Sequence, residues 1–294
     1  MTDAEFREPD VERQVEARHY ARLRRSLIPF SLGLGLIWAL GWLASGVSVA
    51  FRETLTELTT SRALVITLFS AVFGLGDVLL ELPLSYYGGF ILPHQFGLST
   101  QSRGDWVVDR LKTGLISGGL GLVMIQILYL ALAIWPKSWW LPVGIVYLLV
   151  GVVLSAVAPV LIAPLFYKFT PLEEDHRALA DRLLDLAERA GTKVRGVYRF
   201  DMSRRTTAAN AALMGLGNSR RIVLGDTMLD EFTSDEIETV LAHELAHQVH
   251  HDIPLGIVVQ STITLIGLWL ASLALEWGVD LFGLEGVDDV AGLP

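Results

Sequence analysis

His243 and His247 stand four residues apart, with Glu244 directly after the first, in the run Leu241-Ala242-His243-Glu244-Leu245-Ala246-His247. Positions four apart share one face of a helix, so both imidazoles can reach one metal ion. Zinc takes nitrogen ligands and needs no redox partner. A glutamate beside the first ligand is not needed to hold the ion. It can take a proton from the water that the metal activates, which is general-base chemistry for hydrolysing a peptide bond. His-Glu-x-x-His therefore carries a mechanism, yet three fixed positions also arise by chance on a solvated helix face. The decision rests on the elements that would have to position these side chains.

The chain is too apolar for an ordinary soluble enzyme of its size. Of its 294 residues 52% are hydrophobic and 19% charged, and the mean hydropathy is +0.46. The usual charged share is about a quarter. The apolar residues are also clustered, which points to a lipid bilayer as partner rather than to a large water-soluble core. A net charge of −9 without a basic tract argues against nucleic acid. The absence of cysteine excludes disulfides, thiolate metal sites and a cysteine nucleophile together.

Residues 1–25 form a charged N-terminal segment with six arginines. From Ser26 to Phe51 no residue is charged. At ~1.5 Å per residue this run exceeds a ~30 Å hydrocarbon core, so it can span with tilt. Four spans are expected within 26–166, at about 26–51, 63–93, 113–135 and 139–166. The second contains Asp77 and Glu81, which either face protein or water inside the membrane or sit near its surface. In the third, Gly114, Gly118, Gly119 and Gly121 have the spacing that lets another helix approach closely. Only Pro136-Lys137-Ser138 separates it from the fourth, and Trp135, Trp139 and Trp140 mark an interfacial belt there. A fifth span is expected over 253–275, followed by an acidic tail, 276–294.

Residues 167–252 are of another kind, charged and mixed in pattern. Pro171 to Ala190 reads as a helix with Gly191 as its stop. Val194 to Phe200, Asn210 to Leu216 and Arg221 to Leu224 read as strands, with a turn at Gly217-Asn218-Ser219. Thr233 and Glu236 make a capping box that starts a further helix, and the two histidines fall on it. The strand Arg220 to Leu224, just before that helix, is a candidate edge for an extended peptide to join. Lysine and arginine are split unevenly: 20 lie in the segments before the first span, after the second and after the fourth, against three elsewhere. That asymmetry places the N-terminus and residues 167–252 in the cytoplasm.

Beyond the motif, longer stretches carry a resemblance. Asn210-Ala211-Ala212-Leu213-Met214-Gly215-Leu216-Gly217-Asn218-Ser219-Arg220-Arg221-Ile222-Val223-Leu224-Gly225-Asp226-Thr227-Met228-Leu229 resembles the segment before the zinc helix in the CAAX prenyl protease 1 family. Pro164 to Leu172 resembles that family's junction between a span and the catalytic part. Glu81-Leu82-Pro83 and His94 to Ser99 resemble its loop after the second span. The resemblance implies a mainly α fold, a multi-pass transmembrane helical bundle with a small cytoplasmic α+β, zincin-like catalytic segment. It implies a Zn2+-dependent membrane endopeptidase acting on a peptide or protein substrate that is lipidated or otherwise membrane-tethered. Residue by residue, it makes His243 and His247 zinc ligands, Glu244 the catalytic base and proton shuttle, and Asn210 a substrate-binding residue. A turn or cap role for Asn210 stays open beside this. His250, His251 and Asp252 do not fit the family's ligand spacing and read as interfacial polar residues.

The family's third ligand is a glutamate in a Glu-x-x-x-Asp segment after a further span, and the expected topology leaves no such glutamate within reach of the two histidines. Glu276, Asp280, Glu285, Asp288 and Asp289 all follow the fifth span, which puts them on the far side of the membrane from the histidines. The expectation is that the sequence is a piece of a longer protein. Two other readings remain: a quality-control membrane protease of the heat-shock type, and a catalytically incomplete scaffold.

Overall fold

The computed structural model describes residues 11–172, 174–215, 220–249 and 252–294. They fall into two compact units, residues 1–99 with 293–294, and residues 100–292.

In the first unit a single helix, α1 (Val11–Ala44), joins the charged segment to the apolar run. It also ends earlier than the sequence pattern suggests, before Phe51. Gly46 explains this: its φ of 73° is left-handed, which glycine adopts without steric cost and which no helix continues through. A second helix, α2 (Val47–Leu58), starts there. Its Phe51 packs on Trp42 of α1 at 5.8 Å. Next, α3 (Arg62–Tyr86) passes through a π-helical turn, Tyr87–Ile91, into the short α4 (Leu92–Gln95). Asp77 and Glu81 lie well inside α3, and Glu81 accepts a 2.6 Å hydrogen bond from the Ser31 hydroxyl of α1. The acid faces a protein partner, as polar groups at membrane depth do.

The second unit begins with α5 (Arg103–Ile134), whose start is capped by Ser102; its hydroxyl accepts from the Asp105 amide at 3.0 Å. The polar stretch before Thr113 and the apolar run after it are thus one helix. After the short turn comes α6 (Trp140–Val157), which loosens through a π turn, Ala158–Ile162, and a 3-10 turn, Ala163–Leu165. The last long helix, α10 (Asp252–Phe282), packs on α6. Gly144 permits that contact, because a Cβ there would stand 2.5 Å from the Leu265 side chain. The glycine stripe of α5 does not serve the same end. A Cβ at Gly114, Gly118, Gly119 or Gly121 would meet no described atom within 4 Å.

Among the described residues, five helices are long and apolar enough to cross a membrane: Val11–Ala44, Arg62–Gln95, Arg103–Ile134, Trp140–Leu165 and Leu255–Phe282. The protein is an integral, multi-pass membrane protein.

Between the fourth and fifth of these helices lies a small sheet with helices on it. Its strands are β1 (Phe169–Pro171), β2 (Val197–Phe200), β3 (Ala211–Met214) and β4 (Arg221–Gly225), in the order β1-β2-β4-β3. β2 and β4 are parallel, and the other two pairs are antiparallel. Three helices accompany them: α7 (Arg177–Arg189), α8 (Asp226–Glu231) and α9 (Ser234–Val249). The helix expected from Pro171 starts later, at Arg177. Pro171 has no amide hydrogen and ends an outer strand, a place where proline is tolerated. Gly191, at φ 69°, closes α7 as expected; its amide and that of Thr192 bond back to the Glu188 and Ala187 carbonyls, both at 2.9 Å. The Gly217-Asn218-Ser219 turn, His250 and His251 lie outside the described residues.

Leu183 of α7, Ile222 and Leu224 of β4, and Ile237 and Leu241 of α9 are almost wholly enclosed. Each such side chain contributes about 1.5–3 kcal/mol when removed from water. This core fastens α9 to the sheet, and α9 is the helix that bears His243, Glu244 and His247.

Candidate active site

The capping box starts α9 as its sequence foretold. The Thr233 amide and hydroxyl both donate to Glu236 Oε2 at 2.8 Å, and the Glu236 amide reaches the Thr233 hydroxyl at 3.4 Å. The bonds from the Thr233 amide and hydroxyl hold the Glu236 carboxyl below its usual pKa. Along α9 the buried residues Ile237, Leu241 and Leu245 recur every four positions and form the stripe that meets the core. His243 and His247 fall on the other side of the helix and are exposed, while Glu244 is half-buried.

The two imidazoles converge. Their Nε2 atoms are 3.3 Å apart, and the rings stand edge to face with centroids 4.7 Å apart. Two nitrogens each ~2.0–2.1 Å from a tetrahedral zinc would be separated by about 3.3 Å. The donor set and its spacing therefore fit such an ion. Among the described residues no third histidine, aspartate or glutamate joins them. Glu276, Asp280, Glu285, Asp288 and Asp289 all come late in α10 or after it. Asp289 is occupied in capping its own loop, accepting from the Glu285 and Ala291 amides at 3.0 and 2.9 Å.

One expectation needs correction. β4, the strand proposed to receive an extended peptide, is interior, with β2 on one side and β3 on the other. Its hydrogen-bonding groups are already engaged. Among the described residues, the open edge next to the histidine helix belongs to β3, against which α9 packs. The Gly225 amide donates to the Asn210 carbonyl at 2.8 Å, so Asn210 faces β4. Antiparallel alternation then turns the backbone N–H and C=O of Ala211 and Leu213 outward. Asn210 stands exposed immediately before this edge.

Sequence reasoning missed the residues that hold the edge in place. Asp226, only 4% exposed, accepts from the Ser203 amide (2.8 Å), the Ser203 hydroxyl (2.5 Å) and the Thr227 amide (2.9 Å). Burial pushes its carboxyl up, but these bonds outweigh burial and leave its pKa below the usual value. The Thr227 hydroxyl holds the Ala208 carbonyl at 2.8 Å. An aspartate at a strand-to-helix junction was the available signal. The pairing of Arg205 with Asp109, far apart in sequence, left no local signal.

These elements define a class: a multi-pass membrane protein with a metallopeptidase-type helix laid against a small sheet. Residues 8–168 match the family described as CAAX prenyl protease N-terminal, five membrane helices, and residues 173–289 match peptidase family M48. The chain belongs to the CAAX prenyl protease family of M48 peptidases. Within 8–168 the described residues hold four helices long enough to cross, plus the twelve-residue α2. The chain is 30% identical to an uncharacterized metalloprotease of Bacillus subtilis, over 95% of this chain and 66% of that protein. It is 37% identical to CAAX prenyl protease 1 of Saccharomyces cerevisiae, over 58% of this chain and 38% of that one. The crystal structure of S. mikatae Ste24p superposes with a TM-score of 0.78 at 26% identity, over 91% of this chain and 63% of that one. The chain thus spans between about two fifths and two thirds of these relatives.

Proposed function

We propose that this chain carries the metal-binding and substrate-aligning part of a membrane zinc endopeptidase. The observation that carries the reading is the 3.3 Å convergence of the His243 and His247 Nε2 atoms on the helix that also bears Glu244. Both imidazoles would hold Zn2+, which when bound supplies Lewis acidity to a water and to the peptide carbonyl. Glu244 takes the proton of the attacking water and returns it to the departing amine. β3 aligns the substrate by accepting its backbone as a further strand, through the outward groups of Ala211 and Leu213. Asn210, exposed at the start of that edge, donates to or accepts from the same peptide.

The substrate class follows from the setting. Helix α9 ends at Val249 and the membrane helix α10 starts at Asp252, so the site is held close to the bilayer. A peptide tethered to the membrane, by lipid or by its own span, meets it at high effective concentration. Relatives named as CAAX prenyl proteases support a lipidated C-terminal substrate. The excess of lysine and arginine in the segments before the first span, after the second and after the fourth supports the cytoplasmic side for the site. Because the chain has no cysteine, a single Asp235→Cys variant reports that side directly by labelling with an impermeant maleimide in sealed cells and in inverted vesicles.

The test of function uses the gene's full reading frame, purified in detergent with zinc, with and without Glu244→Gln. Zinc-dependent cleavage of a farnesylated peptide that disappears in the variant supports the reading. Equal cleavage by both proteins removes Glu244 from its role.

A further inference from the structure

The connection from β2 to β3, residues 201–210, leads directly into the open edge, and a membrane helix grips it. Arg205 in this connection meets Asp109 of α5 in a two-pronged pair: Nε to Oδ2 at 2.8 Å and Nη2 to Oδ1 at 3.0 Å. The two side chains are only 16% and 18% exposed. The Tyr167 ring faces the same guanidinium at 4.9 Å. Gln101 donates to Asp109 Oδ2 at 2.7 Å. Thr100 adds two bonds, its amide to the Arg205 carbonyl at 3.2 Å and its hydroxyl to the Ser203 carbonyl at 2.5 Å. A paired guanidinium and carboxylate fixes an angle as well as a distance, which a single contact does not.

The same connection is already fastened to the sheet. Asp226 holds Ser203, Thr227 holds Ala208, and the Gly225 amide holds the Asn210 carbonyl. Those bonds hold the loop against β4 and α8. The Asp109 clamp adds something else, a tie between the loop and the helix that enters the membrane from Thr113 onward. We propose that Arg205 and Asp109 are positioning residues: they set the height of Asn210 and β3 above the membrane, so that a membrane-tethered peptide meets the edge in register. This rests on β3 being the peptide-binding edge, as argued above.

The experiment compares the purified protein with Arg205→Gln, Asp109→Arg, the exchange Asp109→Arg/Arg205→Asp, and Gln101→Ala. It measures hydrogen exchange at Ala212 and Met214, whose amides face β4, together with kcat, KM and zinc content. The single variants are expected to raise KM about tenfold, with kcat within about threefold. Exchange at Ala212 and Met214 rises with KM, zinc content is unchanged, and the exchange variant recovers most of the loss. Gln101→Ala, which leaves the ion pair intact, moves KM the same way by about twofold. It carries the test if the charge variants do not fold. Unchanged KM and exchange, or a fall in kcat alone, overturns the proposal, as does an exchange variant no better than the singles. A wild-type protein without hydrolysis defeats the functional reading instead, and the exchange data then decide the clamp by themselves.

Discussion

The long apolar helices and the small sheet domain use hydrophobic residues in opposite ways. In α1 no residue is buried, although the helix is the first candidate span, and Leu32, Leu36 and Ile37 are all more than half exposed. In α9 the apolar residues recur every four positions and three of them are almost fully enclosed. A helix that faces lipid needs only to be apolar, and its backbone bonds are satisfied within itself. A helix that faces a sheet must put each apolar side chain on one stripe. The proposed chemistry falls where the stripe is selective, because selectivity leaves a second face for His243 and His247.

Five changes would break or sharpen this contrast. The largest effect belongs to the reactive face: Glu244→Gln should lower peptide hydrolysis by about 10²–10⁴-fold, measured as initial rate, with zinc content by atomic emission unchanged. Next is the stripe beneath it. Leu241→Ala should destabilise the sheet domain by about 2–5 kcal/mol, read in chemical denaturation, and should release the metal as α9 loosens. If Leu241→Ala instead leaves both unchanged, the core does not hold the site.

Asp226→Asn comes third, with a pH signature. The folded carboxyl titrates below its ordinary value, so its stabilisation is present above the ordinary carboxylate range and is lost as pH falls through the folded value. The wild-type protein should lead the variant by about 1.5–3 kcal/mol near neutrality. That lead should shrink below about pH 4. A constant difference at all pH values would remove the carboxylate charge from the account. Fourth, Thr233→Ala should cost about 1 kcal/mol through the lost cap, seen as a small fall in the thermal midpoint. The smallest effect is expected on the lipid-facing side, where Leu36→Ala should change unfolding in detergent by no more than ~0.5 kcal/mol. A large loss there would mean that α1 meets protein along the face now seen as exposed.

Much of this was legible from residues alone, for identifiable reasons. Long apolar runs declare spans regardless of what they touch, and among the described residues five helices have the length and composition to cross a membrane. The capping box and the Gly191 stop are local motifs whose partners are three to five residues away, so they survive folding unchanged. The ends of α1 and the start of α7 were less legible. A left-handed Gly46 and a strand only three residues long leave weak periodic signals.

Strand order was not legible either, and it mattered most. Nothing in Arg220 to Leu224 says that β2 will pair with it from one side while β3 takes the other. That pairing moves the open edge, and with it the expected peptide, to Ala211 to Met214. What the sequence determined by itself was the chemistry available: two imidazoles and a carboxylate on one helix, and membrane helices on either side. The tertiary structure decided where that chemistry can act. β3 becomes an edge only once β4 is paired on both flanks. Arg205 finds Asp109 only when the loop meets α5. Spacing along a helix is short-range geometry that sequence encodes, whereas edges and long-range ion pairs exist only when distant segments meet.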